Sequence, residues 1–236
     1  MTISNDSRAR IKKAFEPIAL GMGRLGLTPD ALTLIGFAIT VGGAVLVAQQ
    51  LWLLGGLVIF VGGVFDLFDG TLARATGKVS PLGAFMDSVF DRWGEVIVYV
   101  GIAWGGLYAV GAGHATLLAA SAMGSAVMVS YVRAKSEGLG FTAGTGMAAV
   151  GLAPREVRLV ILSLGLILTG VTALADPSFG PGDTFVELFG SGLLLDAGYA
   201  WLNIALALIT VLATITTIQR ILHVRNQARQ QSTQTH

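Results

Sequence analysis

The sequence predicts an all-α integral membrane protein: six transmembrane helices preceded by an N-terminal amphipathic helix lying on the membrane interface. Three observations carry that expectation. Of 236 residues, 53% are hydrophobic and 12% charged, with a mean hydropathy of +0.73; a soluble domain carries about a quarter charged residues. The apolar residues form continuous runs of about 20, each long enough to cross roughly 30 Å of hydrocarbon as helix. The Lys and Arg residues gather at alternate ends of those runs.

The runs cover 30–48, 51–75, 82–108, 114–135, 154–175 and 198–222. A closed barrel would need alternating segments of about ten residues, and these runs are unbroken. The 32 glycines suit close helix contact in lipid. Gly101 and Gly105, a small-xxx-small step, are expected to serve packing within the chain. The chain reads as one membrane domain: 1–29 a cytoplasmic interfacial helix and loop, 30–222 the six-helix core, 223–236 a cytoplasmic tail, loose over 226–236. The first 30 residues lack an apolar signal core, so the first span is expected to be retained.

Every Lys and Arg except Arg92 falls on one side. Arg8, Arg10, Lys12, Lys13 and Arg24 precede the first span, and Arg74 and Lys78 sit at the second-to-third turn. Arg133, Lys135, Arg155 and Arg158 flank the fourth-to-fifth loop, and Arg220, Arg225 and Arg229 follow the last span. The loop 176–197 carries only acids: Asp176, Asp183, Glu187 and Asp196. The positive-inside rule then places both termini in the cytoplasm of a cell-membrane protein. Ile11, Phe15, Ile18 and Met22, spaced by three and four beside Lys12 and Lys13, predict the interfacial helix over 8–23. A net charge of +1 provides no field for nucleic acid, and the absence of Cys excludes thiolate chemistry.

Four acids stand where a span should be apolar: Asp66 and Asp69 in the second, Asp87 and Asp91 in the third. Each costs about 2.5–3.5 kcal/mol at a span centre. The spacings i,i+3 and i,i+4 put each pair on one helix face. In an antiparallel hairpin turning near Lys78, 66 faces 91 and 69 faces 87, so all four share one depth. Four clustered carboxylates cannot all stay ionised without cations. All-oxygen ligation suits Mg²⁺ or Mn²⁺, and two such ions would neutralise the quartet and clamp a displacement at phosphorus. Gly70 leaves room for a phosphate, and Arg74, one turn on, can pair with it. An ion-transport path also uses intramembrane acids, so a cation transporter is the reading from a different class.

The segment from Asp66 to Asp91 resembles the signature of the CDP-alcohol phosphotransferase family at all eight fixed positions: Asp66, Asp69, Gly70, Ala73, Arg74, Gly83, Asp87 and Asp91. The resemblance implies a six-spanning, homodimeric transferase that uses divalent metal, Mg²⁺ at two ions per site with Mn²⁺ as the substitute. It implies that Asp66, Asp69 and Asp87 hold metal, and that Asp91 deprotonates the acceptor hydroxyl while touching the second ion. Gly70 and Arg74 would hold the nucleotide diphosphate. Fixed Gly70, Ala73, Arg74 and Gly83 distinguish this from a transporter, which needs none of them.

The flanks Leu27–Thr33, Tyr131–Gly140 and Pro154–Arg158 resemble the bacterial phosphatidylinositol phosphate synthases within that family. That branch joins CDP-diacylglycerol to inositol 1-phosphate. Pro29, Asp30, Ala31, Leu32 and Ser80 are then expected at the nucleotide. Arg133, Lys135, Arg155 and Arg158 are expected at the acceptor phosphate, where arginine binds bidentately and lysine adds a point charge. The alternative keeps the chemistry but uses glycerol 3-phosphate, as a phosphatidylglycerol phosphate synthase does. Free inositol would leave the basic cluster without a purpose. Glu95, one turn from Asp91, is expected to face the same cavity, protonated or paired with an arginine.

Overall fold

A computed structural model describes residues 16–107, 113–141, 150–175, 185–187, 194–196 and 199–234. The first helix, α1, covers 16–24 of the described residues; the part of the interfacial helix before it lies outside them. Its last turn closes with Leu27 N–H donating to Met22 O and Gly26 N–H to Gly23 O, and Gly26 takes φ +87°, as this helix stop requires. Ala19 is fully buried, and Met22 packs with it against a cluster of Leu32, Phe68 and Leu72. Ile18, on the apolar stripe expected to face the membrane interface, is half exposed.

Helix α2 (Pro29–Ala48) starts at once. Thr28 Oγ1 accepts from Ala31 N–H at 3.2 Å, and Pro29 occupies the first helical position, where a missing N–H costs nothing. α3 (Trp52–Ala75) returns antiparallel to it. The pair is close because glycines leave the contact bare: a Cβ on Gly62 would lie 3.2 Å from Thr40 N. α4 (Pro81–Leu107) follows a turn with Gly77 at φ +66°. A Cβ on Gly101 would lie 2.5 Å from Ala44 O and one on Gly105 2.8 Å from Val47 O, so both serve packing against α2.

α5 (Gly113–Gly138), α6 (Arg155–Ala175) and α7 (Ala200–Gln234) complete the set. The six long helices form a ring in which main neighbours run α2, α3, α6, α7, α5, α4 and back to α2. One end of the ring is filled by Val47, Trp52, Ile102, Tyr199 and Leu202, with Trp52 and Tyr199 edge to face at 5.4 Å. The other end holds the C-terminal half of α3, the N-terminal halves of α4 and α6, and the acids.

Among the described residues, five helices are long and apolar enough to cross a membrane: α2, α3, α5, α6 and α7. α4 has the length, 27 residues, but its first half bears Asp87, Asp91, Arg92 and Glu95. One expectation is corrected. The tail foreseen as loose continues α7 to Gln234, because residues 219–231 contain good helix formers and neither Gly nor Pro. Within the loop after α6, β1 (Phe185–Glu187) pairs antiparallel with β2 (Leu194–Asp196).

Candidate active site

α3 and α4 bring the acids together in the order the hairpin geometry demands. Arg155, the first residue of α6, spans the outer pair: its Nη2 is 2.6 Å from Asp66 Oδ2 and its Nη1 2.8 Å from Asp91 Oδ1. Asp66 and Asp91 therefore face each other across one guanidinium. Phe37 and Phe90, with ring centroids 4.9 Å apart, stand beside them. Asp69 is held differently. It is 4% exposed, accepts from Thr33 Oγ1 of α2 at 2.6 Å, and takes the N–H of Gly70.

Asp69 and Asp87 line a groove of about 210 Å³ with Pro29, Asp30, Gly70 and Arg74. Those four are among the residues expected at the nucleotide. The others are not among its lining residues, although Ser80 Oγ lies beside Gly83, which lines it. Leu32 is fully buried against Phe68 and Leu72, Ala31 gives its N–H to the Thr28 cap, and Ser80 Oγ accepts from Gly83 N–H at 2.9 Å as the cap of α4. A Cβ on Gly70 would lie 3.2 Å from Arg74 Nη1, so the bare backbone there makes room for the guanidinium itself.

Asp87 also faces a second cavity, about 480 Å³, between α4 and α5, together with Asp91, Arg92, Ser130 and Arg133. Asp91 extends this into a third, about 180 Å³, where Arg92, Arg133, Arg155, Arg158 and Arg220 converge from four helices. Two of the expected acceptor residues stand apart from Arg133 and Arg155. Lys135 is exposed and lines none of these cavities. Arg158 is 1% exposed and already committed: Nε and Nη2 donate to the Glu95 carboxylate at 2.7 and 2.8 Å, and Nη1 donates to Ala153 O. Glu95 is thus the arginine-paired neighbour expected of it.

Thr33, Arg92 and Arg220 join the site without having been singled out for it. Arg220 donates to Val129 O at 2.6 Å and Val150 O at 3.0 Å, tying α7 to the segments around the third cavity. Its charge was legible as positive-inside bias, but its direction was not. Among the described residues, no three acidic, His or Cys side chains converge in a ready ligand set. The donor chemistry nonetheless suits a hard cation. All four acids offer oxygen in a poorly solvated band, and the outer two already share a positive group.

The model of the CDP-alcohol phosphatidyltransferase family matches residues 26–219. The chain belongs to this family. Relatives carry names from its inositol-phosphate branch. An archaetidylinositol phosphate synthase of Pyrococcus horikoshii is 38% identical over 164 residues, 70% of this chain and 82% of that protein. A phosphatidylinositol phosphate synthase of Cutibacterium acnes is 34% identical over 222 residues, 92% of this chain and 95% of that protein. Two crystal structures of the Mycobacterium tuberculosis phosphatidylinositol phosphate synthase share the fold at 26% identity. The complex with manganese and citrate has a TM-score of 0.70, covering 88% of this chain and 87% of that one. The one with CDP-DAG bound has a TM-score of 0.69, covering 91% and 94%. This chain is accordingly a multi-pass membrane transferase of the family.

Proposed function

We propose that the chain transfers the phosphatidyl group of CDP-diacylglycerol to inositol 1-phosphate, giving phosphatidylinositol phosphate and CMP. One observation carries this reading: Asp87 lines both the groove under Pro29 and the large cavity along α5, and Asp91 joins that cavity to the cluster of arginines. A donor in the first space and an acceptor in the second meet at these two carboxylates. The names of the relatives support the substrates.

Pro29, Asp30, Gly70 and Arg74 hold the cytidine diphosphate portion. Arg133 and Arg155, with Arg92 beside them, hold the acceptor phosphate. The acceptor hydroxyl oxygen bonds to the phosphorus that carries the diacylglycerol, the phosphorus–oxygen bond to CMP breaks, and Asp91 takes the hydroxyl proton. Asp66, Asp69, Asp87 and Asp91 hold divalent cations, two Mg²⁺ or Mn²⁺ per site. When bound, such a pair would offset the charge of the quartet and polarise the phosphoryl oxygens. α4 counts as the sixth span, the site and both termini face the cytoplasm, and the working unit is a homodimer.

The test is CMP release by the purified protein supplied with CDP-diacylglycerol and Mg²⁺. Inositol 1-phosphate is expected to saturate the reaction, and glycerol 3-phosphate and free inositol to leave it at background. Saturation by glycerol 3-phosphate alone would reassign the acceptor. No CMP with any acceptor, together with cation flux into vesicles, would replace the transferase with a transporter.

A further inference from the structure

Arg155 borders two different places. Its guanidinium lies between Asp66 and Asp91, and its side chain also lines the cavity shared by Arg92, Arg133 and Arg220. The other buried arginines of that cavity are fixed by groups that do not change. Arg158 is tied to Glu95 and Ala153 O, and Arg220 to two backbone carbonyls. The partners of Arg155 are the two carboxylates that the reading above gives to divalent cations.

We propose that Arg155 is the internal counter-cation of the carboxylate band, that divalent cations displace it, and that the displaced guanidinium completes the acceptor-phosphate pocket. The proposal rests on the assignment of metal to the Asp quartet. Its physics is competition. Side-chain exposures of 22%, 13% and 16% for Arg155, Asp66 and Asp91 mean that water screens their charges weakly. A divalent ion ligated by Asp66 and Asp91 therefore repels a guanidinium held against the same oxygens. Arginine has the length and torsional freedom to move its head while its Cα stays at the start of α6. A phosphate in the adjoining cavity offers it bidentate partners. Two ligands that draw one side chain the same way must each strengthen the other's binding by the same factor.

The experiment measures Mn²⁺ binding to the full chain in detergent by electron paramagnetic resonance, without lipid substrate, and with or without inositol 1-phosphate. Without inositol 1-phosphate, Arg155→Gln is expected to bind Mn²⁺ about tenfold more tightly than wild type, within the usual 5–150-fold range of coupling. Inositol 1-phosphate is expected to tighten Mn²⁺ binding by wild type and to do so less in the variant. Arg155→Lys keeps the charge but cannot span both carboxylates, so it too should bind Mn²⁺ more tightly than wild type. Mn²⁺ affinity unchanged or weakened in both variants overturns the proposal and leaves the metal assignment standing. Absence of Mn²⁺ binding in wild type overturns both.

Discussion

A carboxylate inside a membrane span is costly, and Asp66, Asp69, Asp87 and Asp91 stand out in the sequence for that reason. Their partners do not. Thr33 is an ordinary residue for an apolar helix, and its bond to Asp69 joins positions 36 apart, a contact that no local pattern encodes. Removing a ligand charge while keeping the shape isolates the role of each acid. Asp66→Asn, Asp69→Asn and Asp87→Asn are each expected to lower CMP release by at least about 10²-fold, measured at saturating substrate. Near-normal turnover in any two of them would remove the two-cation arrangement. Asp91→Asn should lower kcat by about 10²–10⁴-fold, the usual worth of a positioned base. Its affinity for CDP-diacylglycerol, measured by equilibrium binding, should change little. Equal loss of binding and turnover would make Asp91 chiefly a metal ligand.

Helix starts follow from punctuation that the sequence displays: Thr28-Pro29 before α2, Ser80-Pro81 before α4 and Pro154 before α6. The continuation of α7 to Gln234 was not legible by hydropathy, since polar residues form helix as readily as they form tail. How helices approach is set by glycines, and the distances sort them. Gly101→Ala drives a methyl group into the Ala44 carbonyl and should destabilise by about 1–3 kcal/mol, as overpacking does. Gly124→Ala, with nothing within 4 Å, should be neutral or stabilising by up to about 1 kcal/mol. Thermal unfolding in detergent separates the two. Two charge pairs join α4 and α6, Arg155 with Asp91 and Arg158 with Glu95. Glu95→Ala strands Arg158 at 1% exposure and should cost about 3–5 kcal/mol, whereas Glu95→Leu with Arg158→Met should fold near normally. Equal melting temperatures for wild type and Glu95→Ala would mean that the pair contributes nothing.

The six long helices of the ring were legible as apolar runs whose ends, α7 excepted, fall within about three residues of those observed, because length and apolarity carry that information. Which helices adjoin was not. The arginine pocket depends on α4, α5, α6 and α7 converging, and charge bias alone could not separate a pocket arginine from one facing headgroups. The structure makes the distinction testable. Arg133→Ala should raise the apparent constant for inositol 1-phosphate by roughly 10- to 150-fold, the equivalent of about 1.5–3 kcal/mol for a charged hydrogen bond. The constant for CDP-diacylglycerol should hold. Lys135→Ala, at an exposed position off the cavities, should shift the acceptor constant by less than about fivefold, and added salt should erase the difference. A larger effect from Lys135 than from Arg133 would place the phosphate outside the ring.

The far end of that ring is filled by Trp52, Tyr199, Ile102 and Leu202, and this plug has a bearing on the energy of the cell. A row of acids sunk in a bilayer is what a proton or cation leak needs. Here a buried aromatic and aliphatic layer stands between the acids and the far end of the ring. On the proposed reading, cations held by the acids would sit on one side of this packed layer, so binding them would open no path along the ring.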